Sequence, residues 1–236
     1  LLVATAFLLC LSMMESEAPE ALAAKQQEED WAVLVETWLD KAMAMSDAEW
    51  RKEGEEATTS ISSKDMGTRF PAFRGIVEES GASLRQHDFT PSAEEVMALG
   101  LSFAGRQASD PFQAFAADSL VQRLGPSTWL SFHAFSGNRV QSQMANLVLQ
   151  AVRRSTSPGG PRFTCVAVPA PAPLASQYES TVERLKKGEF FKEVPLCFAA
   201  MDVRTLADGG LRVCNIIQVD PSVPRFMPSS LVNGII

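Results

Sequence analysis

The stretch from Glu193 to Asn233 restricts the fold more than any other part of the chain. Glu193 to Ala207 reads as a strand, Asp208-Gly209-Gly210 as a hairpin turn, and Leu211 to Val219 as the partner strand. A proline-studded loop follows from Asp220. Pro228-Ser-Ser-Leu-Val-Asn233 then opens a helix. A hairpin feeding a closing helix suits a container: a sheet with a lid. The sequence stops at Ile236, so the lid helix is expected to be truncated.

The region before it supplies more strands. Thr128 to Phe135 and Met144 to Arg154 read as strands joined through Ser136-Gly137-Asn138. Ser155 to Pro161 is a turn, and Phe163 to Val168 is a strand ended by the Pro169 to Pro173 run. Ser176 to Lys187 reads as a helix or a long excursion. Strands linked by short turns favour an antiparallel meander. Upstream, Thr58 to Lys64, Phe70 to Val77 and Leu84 to Phe89 are short strand candidates. A helix starts at Thr90-Pro91 and carries Val96, Leu99 and Phe103. Phe112 to Leu124 is expected to be a second short helix. Strands grouped after helices indicate an α+β fold.

Asp30 to Trp50 is an amphipathic helix, with Trp31, Leu34, Val35, Trp38, Leu39, Ala42 and Met45 on one stripe. Before it lie an apolar run, Leu1 to Met14, and the acidic stretch Glu15 to Asp30. The run is too short to span a bilayer as it stands. These features divide the chain into an N-terminal segment, 1–57, and a main domain, 58–236.

Composition narrows the function. The 236 residues carry a formal charge of -7, which disfavours nucleic acid as a partner. Cys10, Cys165, Cys197 and Cys214 each lie in an apolar run without metal-ligand spacing, so they read as buried thiols in a reducing, cytoplasmic setting. No metal or cofactor is indicated. Ser131, His133 and Asp118 can be drawn as a triad, but no GxSxG elbow accompanies them. No phosphate-loop motif accompanies Gly159-Gly160.

Strand alternation offers a cavity wall. On Leu211 to Val219 the better inward set is Leu211, Val213, Asn215, Ile217 and Val219. On the preceding strand both sets are apolar, and Asp202 and Arg204, read as solvent-facing, turn Met201 and Val203 inward. The same pattern would line a filled core, and alternation does not separate the two.

The order of elements resembles a START (steroidogenic acute regulatory protein-related lipid transfer) domain. The residues carrying it are Asp220, Pro221, Pro228, Leu231, Val232 and Asn233, together with Pro91 to Val96, Arg153-Arg154, Gly159-Gly160 and Phe163 to Pro173. The tryptophan-aspartate pair of that family is missing, with Ser109 to Phe112 the nearest stretch, and the excursion at 177–187 is longer than usual. The resemblance implies a curved antiparallel sheet of helix-grip type around a lipid-sized tunnel, with no enzymatic activity. Expected lipid contacts are Phe132, Leu147, Leu149, Val166, Val168, Met201, Val203, Val213, Asn215 and Ile217, plus Phe226 and Met227 in the loop before the last helix. Asn215, Gln150, Arg153 and His133 are candidates to hold a polar head. The ligand class stays open among sterol, phospholipid and ceramide, with transient membrane contact. Membrane association would otherwise come from the residues before Met14. Two rivals stand beside this: a hydrolase or cyclase on a helix-grip scaffold, and an interaction module with a filled core.

Overall fold

The computed structural model describes residues 19–56, 59–64, 72–86, 90–102, 104–105, 115–135, 143–193 and 196–219. The expectations for Leu1 to Met14, His87, Phe103, the 136–142 turn and everything from Asp220 onward lie outside these residues.

Among the described residues, ten strands form one open, curved sheet: β1 (Arg51–Glu56), β2 (Thr59–Lys64), β3 (Ala72–Glu79), β4 (Phe115–Arg123), β5 (Thr128–Phe135), β6 (Met144–Ser157), β7 (Gly160–Pro169), β8 (Lys192–Glu193), β9 (Leu196–Thr205) and β10 (Leu211–Val219). Their order is β1-β2-β3-β10-β9-β7-β6-β5-β4, all antiparallel, with β8 added in parallel to the start of β6. The helices are α1 (Pro19–Asp47), α2 (Gly81–Leu84), α3 (Ala93–Leu101), α4 (Ala172–Gln177) and α5 (Glu179–Lys186). The class is α+β. β1 and β2 form a hairpin across the expected 57/58 division, and α1 packs on the sheet.

Three expectations are corrected. Phe112 to Leu124 does not form a helix; its described part contains strand β4. β4 bulges twice against β5, between Phe115 and Ala117 and between Leu120 and Gln122. Each bulge shifts the side-chain phase by one residue, so period two is lost and the apolar spacing mimics a helix. The start of the candidate strand at Leu84 belongs to the helical turn α2, capped by Ser80. α3 begins later than Thr90, because Ser92 and Glu95 form a reciprocal capping box. β1 carries a bulge too, between Lys52 and Gly54.

α1 lies across one face of the sheet. Val35, Leu39, Ala42 and Met45 meet Leu130, Leu149, Val166, Phe198 and Ile216 in a filled core, and Trp38 stacks on Phe198 at 5.0 Å. The last turn of α1 has no basic residue of its own. Its unpaired carbonyls would therefore face the sheet without partners. The sheet and the chain just after the helix supply them. Arg74 Nη1 donates to the carbonyl of Ala48 (2.8 Å) and Arg212 Nη2 to that of Ser46 (3.1 Å). Trp50 Nε1 donates to the carbonyl of Met45 at 2.8 Å.

Asp202 anchors this arrangement. It is 1% exposed and lies under the helix. It accepts from Arg162 Nε (2.8 Å), Thr164 Oγ1 (2.7 Å) and Ser46 Oγ (3.1 Å). Arg162 and Arg204 then both reach Asp47, at 2.8 and 2.6 Å. Burial acts to raise the Asp47 carboxyl, but hydrogen bonds and charge from Arg162, with help from Arg204, outweigh it and hold the group below its ordinary value.

Removing Asp202 leaves the buried Arg162 guanidinium with only its half-exposed partner Asp47 and takes away the buried one. Asp202→Ala is expected to destabilise by about 3 to 5 kcal/mol in urea denaturation, and a loss under about 1 kcal/mol would contradict the assignment. Asp47 has a depressed folded-state pKa, so its stabilisation is present above the unfolded carboxylate value of roughly 4 and is lost as pH falls through the lower folded value. Asp47→Asn should flatten stability against pH in that acid window and change its shape little near neutrality.

Candidate functional site

The ten expected contacts that lie among the described residues do not share one face. Phe132, Leu147, Leu149, Val166 and Val168 lie on the α1 side, buried or half-buried against α1 and α5. Met201, Val203, Val213, Asn215 and Ile217 lie on the opposite side. The register fixes this: Val166 pairs with Ala200, one residue out of phase with Met201, whereas Val213 pairs with Val203 and Asn215 with Met201. Alternation points to the second set, and the first set comes from the resemblance. Each strand here is buried on two faces, so alternation alone did not say which set faced which way. Asp202, read as a solvent marker, is instead the most buried carboxylate under α1. It still separates the faces correctly.

Arg153 belongs to the α1 side as well. It pairs with Glu36 and, at 2.6 Å, with Asp40. It offers nothing to the second face.

The second face has its own topography. One row crosses six strands: Trp129, Gln150, Ala167, Ala199, Ile217 and Phe73. The next holds Val152, Cys165, Met201, Asn215 and Gly75. Ala167 and Ala199 keep the middle of the first row low and Gly75 ends the second, so these rows form a trough. At one end α3 covers it: Met97 and Ala93 pack with Phe163, Val203 and Leu211. Gly100 brings that helix close, since a Cβ there would stand 2.6 Å from Met201 Sδ.

At the β5–β6 side the trough turns polar. Ser131, His133, Asn146 and Gln150 are all buried, and Gln150 Oε1 accepts from Trp129 Nε1 at 3.0 Å. His133 and Asn146 are register partners, as are Asp118 of β4 and His133. Ser131 sits mid-strand rather than on the strained strand-to-helix turn that exposes a hydrolase nucleophile. The sequence names Gln150, His133 and Asn215 as polar-head candidates and Ser131 only as a member of an unsupported triad, and it does not single out Asn146. The signal for Ser131 and Asn146 was the polar phase of β5 and β6, which reads equally as a solvated face. Among the described residues no cluster of histidine, cysteine, aspartate and glutamate is suited to a metal. No described helix is long and apolar enough to cross a membrane.

Two shallow depressions of about 340 and 290 Å³ flank α3 and α1. The first borders the trough only at Phe163 and Leu211, and neither reaches the polar cluster.

No family model matches the sequence, and no curated protein matches it. Solved structures do match the fold. Human STARD10 superposes with a TM-score of 0.58 at 12% identity, covering 83% of this chain and 70% of that one. Human StAR-related lipid transfer protein 5 gives 0.57 at 14%, covering 89% and 88%. A STAR-related lipid transfer protein from Xanthomonas axonopodis gives 0.52 at 14%, covering 80% and 93%. The fold is therefore the START-type, helix-grip α+β architecture.

Cys165 and Cys197 lie on the trough side, Cys197 half-exposed and Cys165 buried. Cys214 lies under α1, where burial pushes its thiol up. In a Cys10→Ser background, a maleimide should label Cys197 first, and Cys197→Ser should remove that fast phase. Fast labelling of Cys214 in the native state would contradict the facing.

Proposed function

We propose that this chain binds an amphipathic lipid in the trough, without chemistry, and carries it between membranes. The observation that supports this most is the trough itself: a low floor of Ala167 and Ala199, apolar flanks at Val213 and Ile217, and a buried polar corner. The α1 side, by contrast, sets large side chains such as Phe198 and Leu39 against one another. The lipid body would rest on Met201, Val213 and Ile217, while Val203, an expected contact, is fully buried under α3. Its polar group would meet Gln150, Asn146, His133 or Ser131, with Asn215 on the opposite flank. Phe226 and Met227 remain proposed contacts of the closing loop on the resemblance alone. The fold-level likeness to proteins named for lipid transfer adds support.

The energetics suit a carrier. Withdrawing a sixteen-carbon chain from water would be worth on the order of 12 kcal/mol at ~0.8 kcal/mol per methylene. A membrane already supplies that shelter. Exchange between bilayer and trough is therefore nearly balanced, provided the head finds hydrogen bonds inside.

The test is uptake of labelled sterol, phospholipid and ceramide delivered from cyclodextrin, with native mass spectrometry for stoichiometry. One class should bind at one molecule per chain. Ala199→Trp, which fills the floor, should lower uptake at least about tenfold. Gln150→Leu should weaken it about tenfold, the value of one hydrogen bond of ~1.4 kcal/mol. No uptake of any class would overturn the reading, and conversion of bound lipid to hydrolysis products would favour the enzyme rival.

A further inference from the structure

The excursion between β7 and β9 has a second feature, separate from the trough. α5 ends in two left-handed residues, Lys187 (φ 53°) and Gly188 (φ 77°), which reverse the chain. Glu189 N donates to the carbonyl of Lys186 at 2.9 Å and closes the turn. The next two residues then part. Phe191 turns inward, edge-on to Phe132 at 6.3 Å, among Val182 and Leu185. Phe190 points out and is 80% exposed. Lys192 follows, its N–H donating to the carbonyl of Gln143 at 2.9 Å as β8 joins β6. Phe190 is thus a large apolar side chain presented between two anchored points.

Its surroundings are basic. Residues 184–192 contain Arg184, Lys186, Lys187 and Lys192 against one carboxylate, Glu189, in a chain whose formal charge is -7. Lys186 is partly engaged with Glu183 at 2.7 Å, while Arg184, Lys187 and Lys192 are exposed. An exposed aromatic with exposed lysines three residues before it and two after it is complementary to the interface of an anionic bilayer. The ring gains by leaving water for the acyl boundary, and the cations gain from the negative surface. Gln143, Pro169 and Leu196 lie at this same end of the sheet, where β6 and β9 begin and β7 ends.

We propose that Phe190, with Lys187 and Lys192, is a docking point for an anionic phospholipid membrane. This rests on the lipid-carrier reading for its purpose but not for its physics. Sedimentation with vesicles tests it: phosphatidylcholine alone, and phosphatidylcholine with 30 mol% phosphatidylserine, each at low and high salt. The full chain should pellet with the anionic vesicles at low salt and lose most binding at high salt. Phe190→Ala should weaken that binding at least about tenfold, and Lys187→Glu with Lys192→Glu should abolish it. Leu99→Ala, another exposed apolar residue, should leave it unchanged. Uptake from cyclodextrin, which needs no membrane, should persist in Phe190→Ala. Wild-type vesicle binding by Phe190→Ala, or no preference for the anionic vesicles, overturns the docking proposal while uptake from cyclodextrin keeps the carrier reading. Phe190-dependent vesicle binding without any lipid uptake does the reverse.

Discussion

The contact on which the rest depends is the buried carboxylate of Asp202, held by Arg162, Thr164 and Ser46. It joins two neighbouring strands and the end of α1 at one point. A charge there, without those donors, would be too expensive to bury. With them, it fixes how far along the sheet α1 sits. Arg74, Arg204 and Arg212 extend the same logic across β3, β9 and β10, meeting carbonyls and Asp47 at the last turn of the helix. A helix end that carries no basic residue is completed by its sheet.

That fixed position explains why the sheet has two unlike faces. On the α1 side, large side chains interlock and leave little space. On the other, the same strands present alanine, glycine and cysteine at their centre, with polar side chains at one corner. A single run such as Leu196 to Thr205 serves both, since its odd and even residues point apart.

Much of this was legible in the sequence. Thr128 to Phe135 and Leu211 to Val219 are strands over the residues their alternation and turns marked, and Asp208-Gly209-Gly210 marks the hairpin between β9 and β10. The long helix through Trp31 to Met45 follows from its stripe. β4 was not legible, because two bulges erase the period. The clamp was not legible either: its arginines sit on four strands, and only pairing brings them together. The site was half legible. Two-sided burial makes both phases of a strand apolar, so Val166 and Val213 looked alike although they face opposite ways. Asn146 carries no mark of its depth, because polarity in a sequence does not record burial.

The bulges in β1 and β4 have a consequence of their own. These two strands end the strand order, and an open sheet with two flat borders would invite another chain to extend it. β3–β10, β9–β7, β7–β6 and β6–β5 pair in unbroken registers and β9–β10 shifts once, at its end, whereas each outermost described strand is kinked. In β1 the kink falls beside Gly54, in a segment otherwise wholly charged from Arg51 to Glu56. The irregularities thus lie where a stray strand would dock, and the molecule can leave its borders open without becoming a seed for fibrous assembly.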